Sequence, residues 1–198
     1  MLEPNEFRSE VAKERDESKN EVLNILNRVD YSINELNEIP KPKILVLGTG
    51  PHFPEAYILK EWSESNQKEV NLDCVDKEDI DKLYVEKILN LENSNYFKMN
   101  LYKNSFEDFD YSSEYDLVLL LRYSNFSLIN EDVFAKISDC LKKGSFFIMS
   151  GGITNSFLGT SINESDLALE KKSDLEYSLA DFYRSYAGKN IALKFRKA

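Results

Sequence analysis

One histidine, one tryptophan and two cysteines are all that 198 residues hold of those types. His52, Cys74 and Cys140 cannot complete the four-ligand set of a structural zinc site, and two cysteines make no disulfide framework. No metal is expected, and the plain expectation for the thiols is that both are reduced and buried. No apolar run approaches the ~18 residues that a membrane span requires. Residues 1–6 lack the basic flank and apolar stretch of a secretion signal, so a cytoplasmic protein without membrane contact is expected. Basic charge is also short. Lysine and arginine number 25 against 35 acids, a formal net charge of −10. The phosphate backbone repels such a chain unless its cations gather on one face, which disfavours nucleic acid as a partner.

What is present reads as one globular domain with an appendage. Hydrophobic residues make up 42% and charged residues 30%, the balance of a folded chain rather than a disordered one. Val22, Leu26, Val29, Ile33 and Leu36 recur at steps of four and three, one apolar stripe on a helix that Pro40 and Pro42 end. The stripe predicts an N-terminal helical extension over 1–39 lying on a domain over 40–198.

From Lys43 the chain alternates strands with helices. Ile44-Leu45-Val46-Leu47 is apolar on both faces, as in a buried parallel strand, and runs into Gly48-Thr49-Gly50. Pro54 and Glu55 suit the first turn of a helix. Val70, Leu72 and Cys74 alternate into a second strand ending on Asp76, and Ile80, Leu83, Tyr84, Ile88 and Leu89 follow at helical spacing. Tyr96-Phe97-Lys98-Met99 is a third strand and Asp116 to Leu121 a fourth. Val133, Ile137 and Leu141 mark a helix whose basic last turn Gly144 closes, and 145–149 form a fifth strand. A long helix is expected over 164–187, with Leu167, Leu175, Leu179, Phe182 and Tyr186 inward and Gly188 as its stop. Ile191, Leu193 and Phe195 alternate in a last strand. This order predicts an α/β protein with a doubly wound, mostly parallel sheet and helices on both faces. Ligands in such sheets sit outside the carboxyl ends of the strands, where the strand order reverses.

The turn after the first strand is therefore the place to look. Gly48 allows a tight bend, and Gly50 leaves no Cβ between the backbone and a ligand. A dinucleotide fingerprint needs a third glycine where Phe53 stands, and no lysine follows for a phosphate loop, so NAD and ATP fit poorly.

Over residues 43–150 the series of motifs resembles the class I S-adenosylmethionine-dependent methyltransferases, which have a Rossmann-like fold. Ile44-Leu45-Val46-Leu47-Gly48-Thr49-Gly50 is similar to that family's first motif, Tyr115-Asp116-Leu117-Val118-Leu119 to its fourth, and Leu141-Lys142-Lys143-Gly144-Ser145 to the entry into strand five. The resemblance implies S-adenosylmethionine as cofactor, with Gly48, Thr49 and Gly50 at its amino-acid half. It also implies Asp76 on the ribose hydroxyls, and Asn100-Leu101, after the third strand, at the adenine. A carboxylate suits a diol because it accepts two hydrogen bonds. The sequence departs from the family at Val46, where an acid is usual, and at His52, where a third glycine is usual.

Candidate groups for the transfer step are His52, Arg122 and Tyr123. His52 precedes a helix N-terminus, which disfavours the imidazolium and suits a neutral base; it equally fits a surface or packing role. Arg122, Tyr123 and Asn125 follow the fourth strand and could orient an acidic or hydroxylated substrate, or only satisfy a loop. The resemblance implies methyl transfer to a small molecule or a protein side chain. Transfer of the aminocarboxypropyl arm of the same cofactor is the alternative within that chemistry. A non-catalytic binding module, for which Val46 and His52 argue, is the alternative outside it. The number of subunits stays open.

Overall fold

The computed structural model describes residues 4–50, 53–123, 131–153, 167–174 and 189–198. Seven strands form one sheet: β1 (Lys43–Leu47), β2 (Val70–Asp76), β3 (Phe97–Lys103), β4 (Tyr115–Tyr123), β5 (Leu141–Ile153), β6 (Leu167–Asp174) and β7 (Lys189–Lys197). Their spatial order is β3-β2-β1-β4-β5-β7-β6. β1 pairs in parallel with β2 and β4, β2 with β3, and β4 with β5. β7 runs antiparallel to both of its neighbours, β5 and β6. The order reverses between β1 and β4, which places the switch point at the ends of those two strands. This is the expected mostly parallel α/β sheet.

Each central strand is apolar on both faces because each face meets a separate core. Ile44 and Val46 join Leu72, Cys74, Leu117 and Leu119 on one face, against helices α1 (Pro4–Arg28), α2 (Pro54–Asn66) and α3 (Lys82–Ile88). Leu45 and Leu47 join Val118, Leu120, Phe147 and Leu193 on the other, against α4 (Glu131–Cys140). Among the described residues no helix is long and apolar enough to cross a membrane.

The N-terminal stripe is divided between two elements rather than carried by one helix. α1 ends at Arg28, Asp30 turns the chain at φ 53°, and a 3-10 helix (Ile33–Glu38) starts anew. Ser32 begins it through a capping box: its hydroxyl accepts from the Asn34 N–H, and Glu35 accepts from the Ser32 N–H. Val22, Leu26, Val29 and Leu36 are still buried in the first core, so the apolar positions were right and the continuity was not. Lys194 fastens the bend, donating to the Asp30 carbonyl at 3.2 Å with its ammonium over the Phe146 ring.

Four other expectations change. Residues 167–174 are strand β6, not helix, because pairing with β7 satisfies their backbone; Leu167 is buried, and Leu169 faces solvent as edge residues do. Residues 164–166 and 175–187, with Leu175, Leu179, Phe182 and Tyr186, and the stop at Gly188 lie outside the described residues. α4 ends at Cys140, so Lys142 and Gly144 belong to β5, where pairing jumps from Tyr115–Leu141 to Leu117–Phe146. Lys142 pairs there with buried Asp116 at 2.7 Å instead of ending a helix. In α3 the Asp81 cap fixes the start so that Val85 and Leu89 turn inward and Leu83 is 76% exposed. β3 extends four residues beyond Met99, because Phe97, Met99 and Leu101 keep alternating against the first core.

Candidate active site

The turn after β1 is built as its residues require. Gly48 and Gly50 hold φ of 70° and 61°, the left-handed region in which a Cβ is disfavoured. The Gly48 N–H donates to the Val75 carbonyl at 2.8 Å, holding the turn against the end of β2. A Cβ placed on Gly50 would meet no atom within 4 Å, so the space beside that backbone is open among the described residues. Phe53, buried with φ 47°, bends the chain into α2, and Pro54 opens the helix.

Asp76, half-buried at the end of β2, faces this turn. Its Oδ2 accepts from the Gly50 N–H at 3.3 Å and its Oδ1 from the Glu78 N–H at 3.1 Å. Each oxygen keeps a lone pair, so the carboxylate can still accept from a neighbouring diol. The open flank of Gly50 and the unspent acceptors of Asp76 fit the amino-acid and ribose parts of S-adenosylmethionine.

Thr49 lies between the glycines, 1% exposed, and its hydroxyl has no hydrogen-bond partner among the described residues. In the first turn of α2, Glu55 is buried and its Oε2 likewise has no partner among the described residues. Burial raises the pKa of Glu55, Arg122 opposes the rise, and so does a hydrogen bond to the Glu55 backbone. Cys74 is raised well above its usual value, first by burial and then by Glu55, Asp73 and Asp76.

Arg122, near the end of β4, is held in the left-handed region at φ 59°, an uncommon conformation for a residue with a side chain. Its N–H donates to the Ser150 hydroxyl at 2.9 Å. Its guanidinium stands between two carboxylates, 3.7 Å from Glu21 of α1 and 3.8 Å from Glu55. An arginine already faced by two acids is poorly placed to receive an acidic substrate, which alters the role expected of it. Tyr123 is the last residue of β4, paired with Gly151, and its side chain lies outside the described residues. His52 and Asn125 lie outside them too.

Asn100 and Leu101 do not follow the third strand; they are inside it. The Asn100 amide donates to Asp73 Oδ1 at 2.8 Å, and Leu101 packs into the first core. Asp73 also accepts from the Tyr115 hydroxyl at 2.9 Å and pairs with Lys43 at 3.4 Å, a buried network away from the Gly48 turn. Level with Asp76 stands Lys103, followed by Asn104, whose N–H donates to the Asp76 carbonyl at 3.0 Å. Ser105 then caps the next turn through Asp108. The structure thus sets the Gly48-Thr49-Gly50 turn and Asn104 against the end of β2 at Asp76, places Arg122 with Glu21, Glu55 and Ser150, and leaves Asn100 and Leu101 in the Asp73 network instead. Only the first-turn position of Glu55 was visible in the sequence; its burial depends on the packing of α1, α2 and β4.

No family model matches the sequence, and no curated protein matches it. Solved structures do match in fold. The N-methyltransferase NodS from Bradyrhizobium japonicum, solved with S-adenosyl-L-homocysteine, superposes with a TM-score of 0.59 at 9% identity, over 92% of this chain and 86% of NodS. A StiE O-methyltransferase fragment gives 0.58 at 16% identity, over 79% of this chain and 67% of the fragment. The [4+2]-cyclase SpnF gives 0.61 at 10%, over 90% and 80%. Identities this low speak to architecture alone, and the architecture is that of the class I S-adenosylmethionine-dependent methyltransferases.

Proposed function

We propose that this chain is an S-adenosylmethionine-dependent methyltransferase acting on a small molecule or a protein side chain. The observation that carries the reading is Asp76, turned onto the Gly50 N–H beside an open stretch of backbone at the switch point of the sheet. When bound, the cofactor supplies a methyl group on a positively charged sulfur, which leaves by in-line displacement. The work left to the chain is binding and alignment. Asp76 holds two hydroxyls, and the Gly48-Thr49-Gly50 backbone approaches the amino-acid half without side chains in between. Holding two reactants in line is worth roughly 7–11 kcal/mol of a barrier, so a site made of fixed backbone is adequate to the task. Of the candidate groups, Arg122 is committed to Glu21 and Glu55 and acts in orientation rather than as a base. The −10 charge favours acceptors other than nucleic acid.

SpnF, a [4+2]-cyclase, favours one second reading, a chain of this fold that binds the nucleotide without methyl transfer. Calorimetry separates the readings from a scaffold. The proposal expects micromolar binding of S-adenosylmethionine and S-adenosylhomocysteine, weakened at least about tenfold in Asp76→Ala, the scale of two charge-assisted hydrogen bonds. No heat at millimolar ligand would overturn it. Release of S-adenosylhomocysteine with tritiated methyl appearing in an acceptor, rather than bound ligand alone, then distinguishes the enzyme from a binding module and from aminocarboxypropyl transfer.

A further inference from the structure

The polar groups beneath the glycine turn have a charge balance the cofactor does not explain. Glu21, Arg122 and Glu55 line up from solvent to core, with side chains 44%, 19% and 2% exposed. Two carboxylates flank one guanidinium. The distances of 3.7 and 3.8 Å are those of ion pairs without hydrogen bonds, so neither acid is saturated by the arginine. Glu55 Oε2 and Thr49 Oγ1, two oxygens able to accept from an ammonium, are buried and without a hydrogen-bond partner among the described residues. Buried polar atoms are paired in folded proteins as a rule, and two unpaired oxygens beside the glycine turn are open to a hydrogen-bond donor. With both acids ionised the local charge is −1, the wrong sign for a carboxylate or phosphate ligand and the right sign for an ammonium.

We propose that the acceptor is an amine, with Glu21 and Glu55 setting that specificity and Glu55 taking the proton. The proposal rests on the methyl-transfer reading and names its acceptor class. An ammonium has no lone pair and cannot be methylated. Its N–H bond breaks, the proton passes to the Glu55 carboxylate to give a carboxylic acid, and the electron pair stays on nitrogen as the free amine. The groups facing Glu55 are Arg122 from β4 and Cys74 from β2, with Glu21 from α1 beyond the arginine. Burial lifts the proton affinity of Glu55 toward that of an amine, which favours transfer in this direction. Arg122 is the positioning residue, held at its backbone by Ser150 so that its charge stays between the two acids.

The test uses the full chain saturated with S-adenosylhomocysteine, so that binding is read without turnover. Butylamine, butanol and butyrate serve as matched probes, followed by ligand-observed NMR. Butylamine binding is expected in the wild type, with butanol and butyrate at least about tenfold weaker. Glu55→Gln is expected to lower butylamine affinity by about tenfold or more while S-adenosylhomocysteine binds as before. Glu21→Gln, a half-exposed position that leaves the core intact, is expected to lower it about threefold. Butyrate binding better than butylamine, none of the three binding, or butylamine affinity unchanged in both variants would overturn the amine proposal and leave the cofactor site standing. Wild-type protein that fails to bind S-adenosylhomocysteine would instead overturn the methyl-transfer reading, and the acceptor class with it.

Discussion

Gly50 and Glu55 stand five residues apart and were not equally legible. The turn at Gly50 could be read because a strand apolar on both faces ended there, and a bend into a helix needs a residue that tolerates positive φ. The backbone now sets its cost of change. Gly50→Ala meets no clash, since the Cβ position is open, but keeps φ at 61°, so denaturant unfolding should show a loss of about 1 kcal/mol, with less in Gly50→Asn. Glu55 looked like an ordinary first-turn acid, favoured there by the helix dipole. Only the meeting of α1, α2 and β4 buries it. Because burial raises its folded-state pKa above 4.5, its contribution to stability is full below that value and is lost as pH rises through the folded value. Glu55→Gln carries no such proton. Its melting temperature should therefore gain on the wild type as pH rises from 4.5 through the folded value, and a gap that shrinks with that rise would contradict the assignment. The thiols behave as their scarcity suggested: Cys74 and Cys140 are free and buried, Cys140 being pushed up to about 12 chiefly by burial. Both should resist iodoacetamide in the native protein and react once it unfolds.

Among the elements, α1 was legible as an amphipathic stripe and not as a helix with an end. Nothing in the spacing of Val29 and Ile33 shows that Asp30 turns the chain, although Ser32 and Glu35 carry the capping-box pattern. The consequence for packing is that Ile25, 0% exposed and absent from the predicted stripe, is among the anchors of α1. Ile25→Ala should cost about 2–5 kcal/mol in chemical denaturation, and Leu23→Ala, at a position 38% exposed, much less. β6 could not be recognised from its own residues. Its run Leu167-Ala168-Leu169-Glu170-Lys171-Lys172 suits a helix locally, and the strand exists because β7 offers its edge. The third strand failed in the opposite sense, ending too early, and that displaced Asn100 and Leu101 onto the end of a strand where Lys103 and Asn104 stand. Asp73, in the network that holds Asn100, accepts from Tyr115 and pairs with Lys43. Asp73→Ala leaves those partners without their acceptor and should destabilise by about 3–5 kcal/mol without altering cofactor affinity, a split that calorimetry and denaturation read separately.

At the level of the molecule, the alternation of apolar runs and helical stripes conveyed the sheet and its two cores because each strand's faces meet different helices. It did not convey which strand ends stand side by side, since that depends on pairing across the chain, such as Asp76 with Lys103. The central claim is that the carboxyl edge, at β1, β2 and β4, receives a sulfonium nucleotide. The most direct measurement is a titration of nitrogen-labelled protein with S-adenosylhomocysteine, followed at the backbone amides. Saturable shifts are expected at Gly48, Thr49, Gly50, Asp76 and Glu78, with Lys43, Asn71 and Lys142 at the opposite edge unmoved. Shifts gathered at that opposite edge, or none at millimolar ligand, would contradict it.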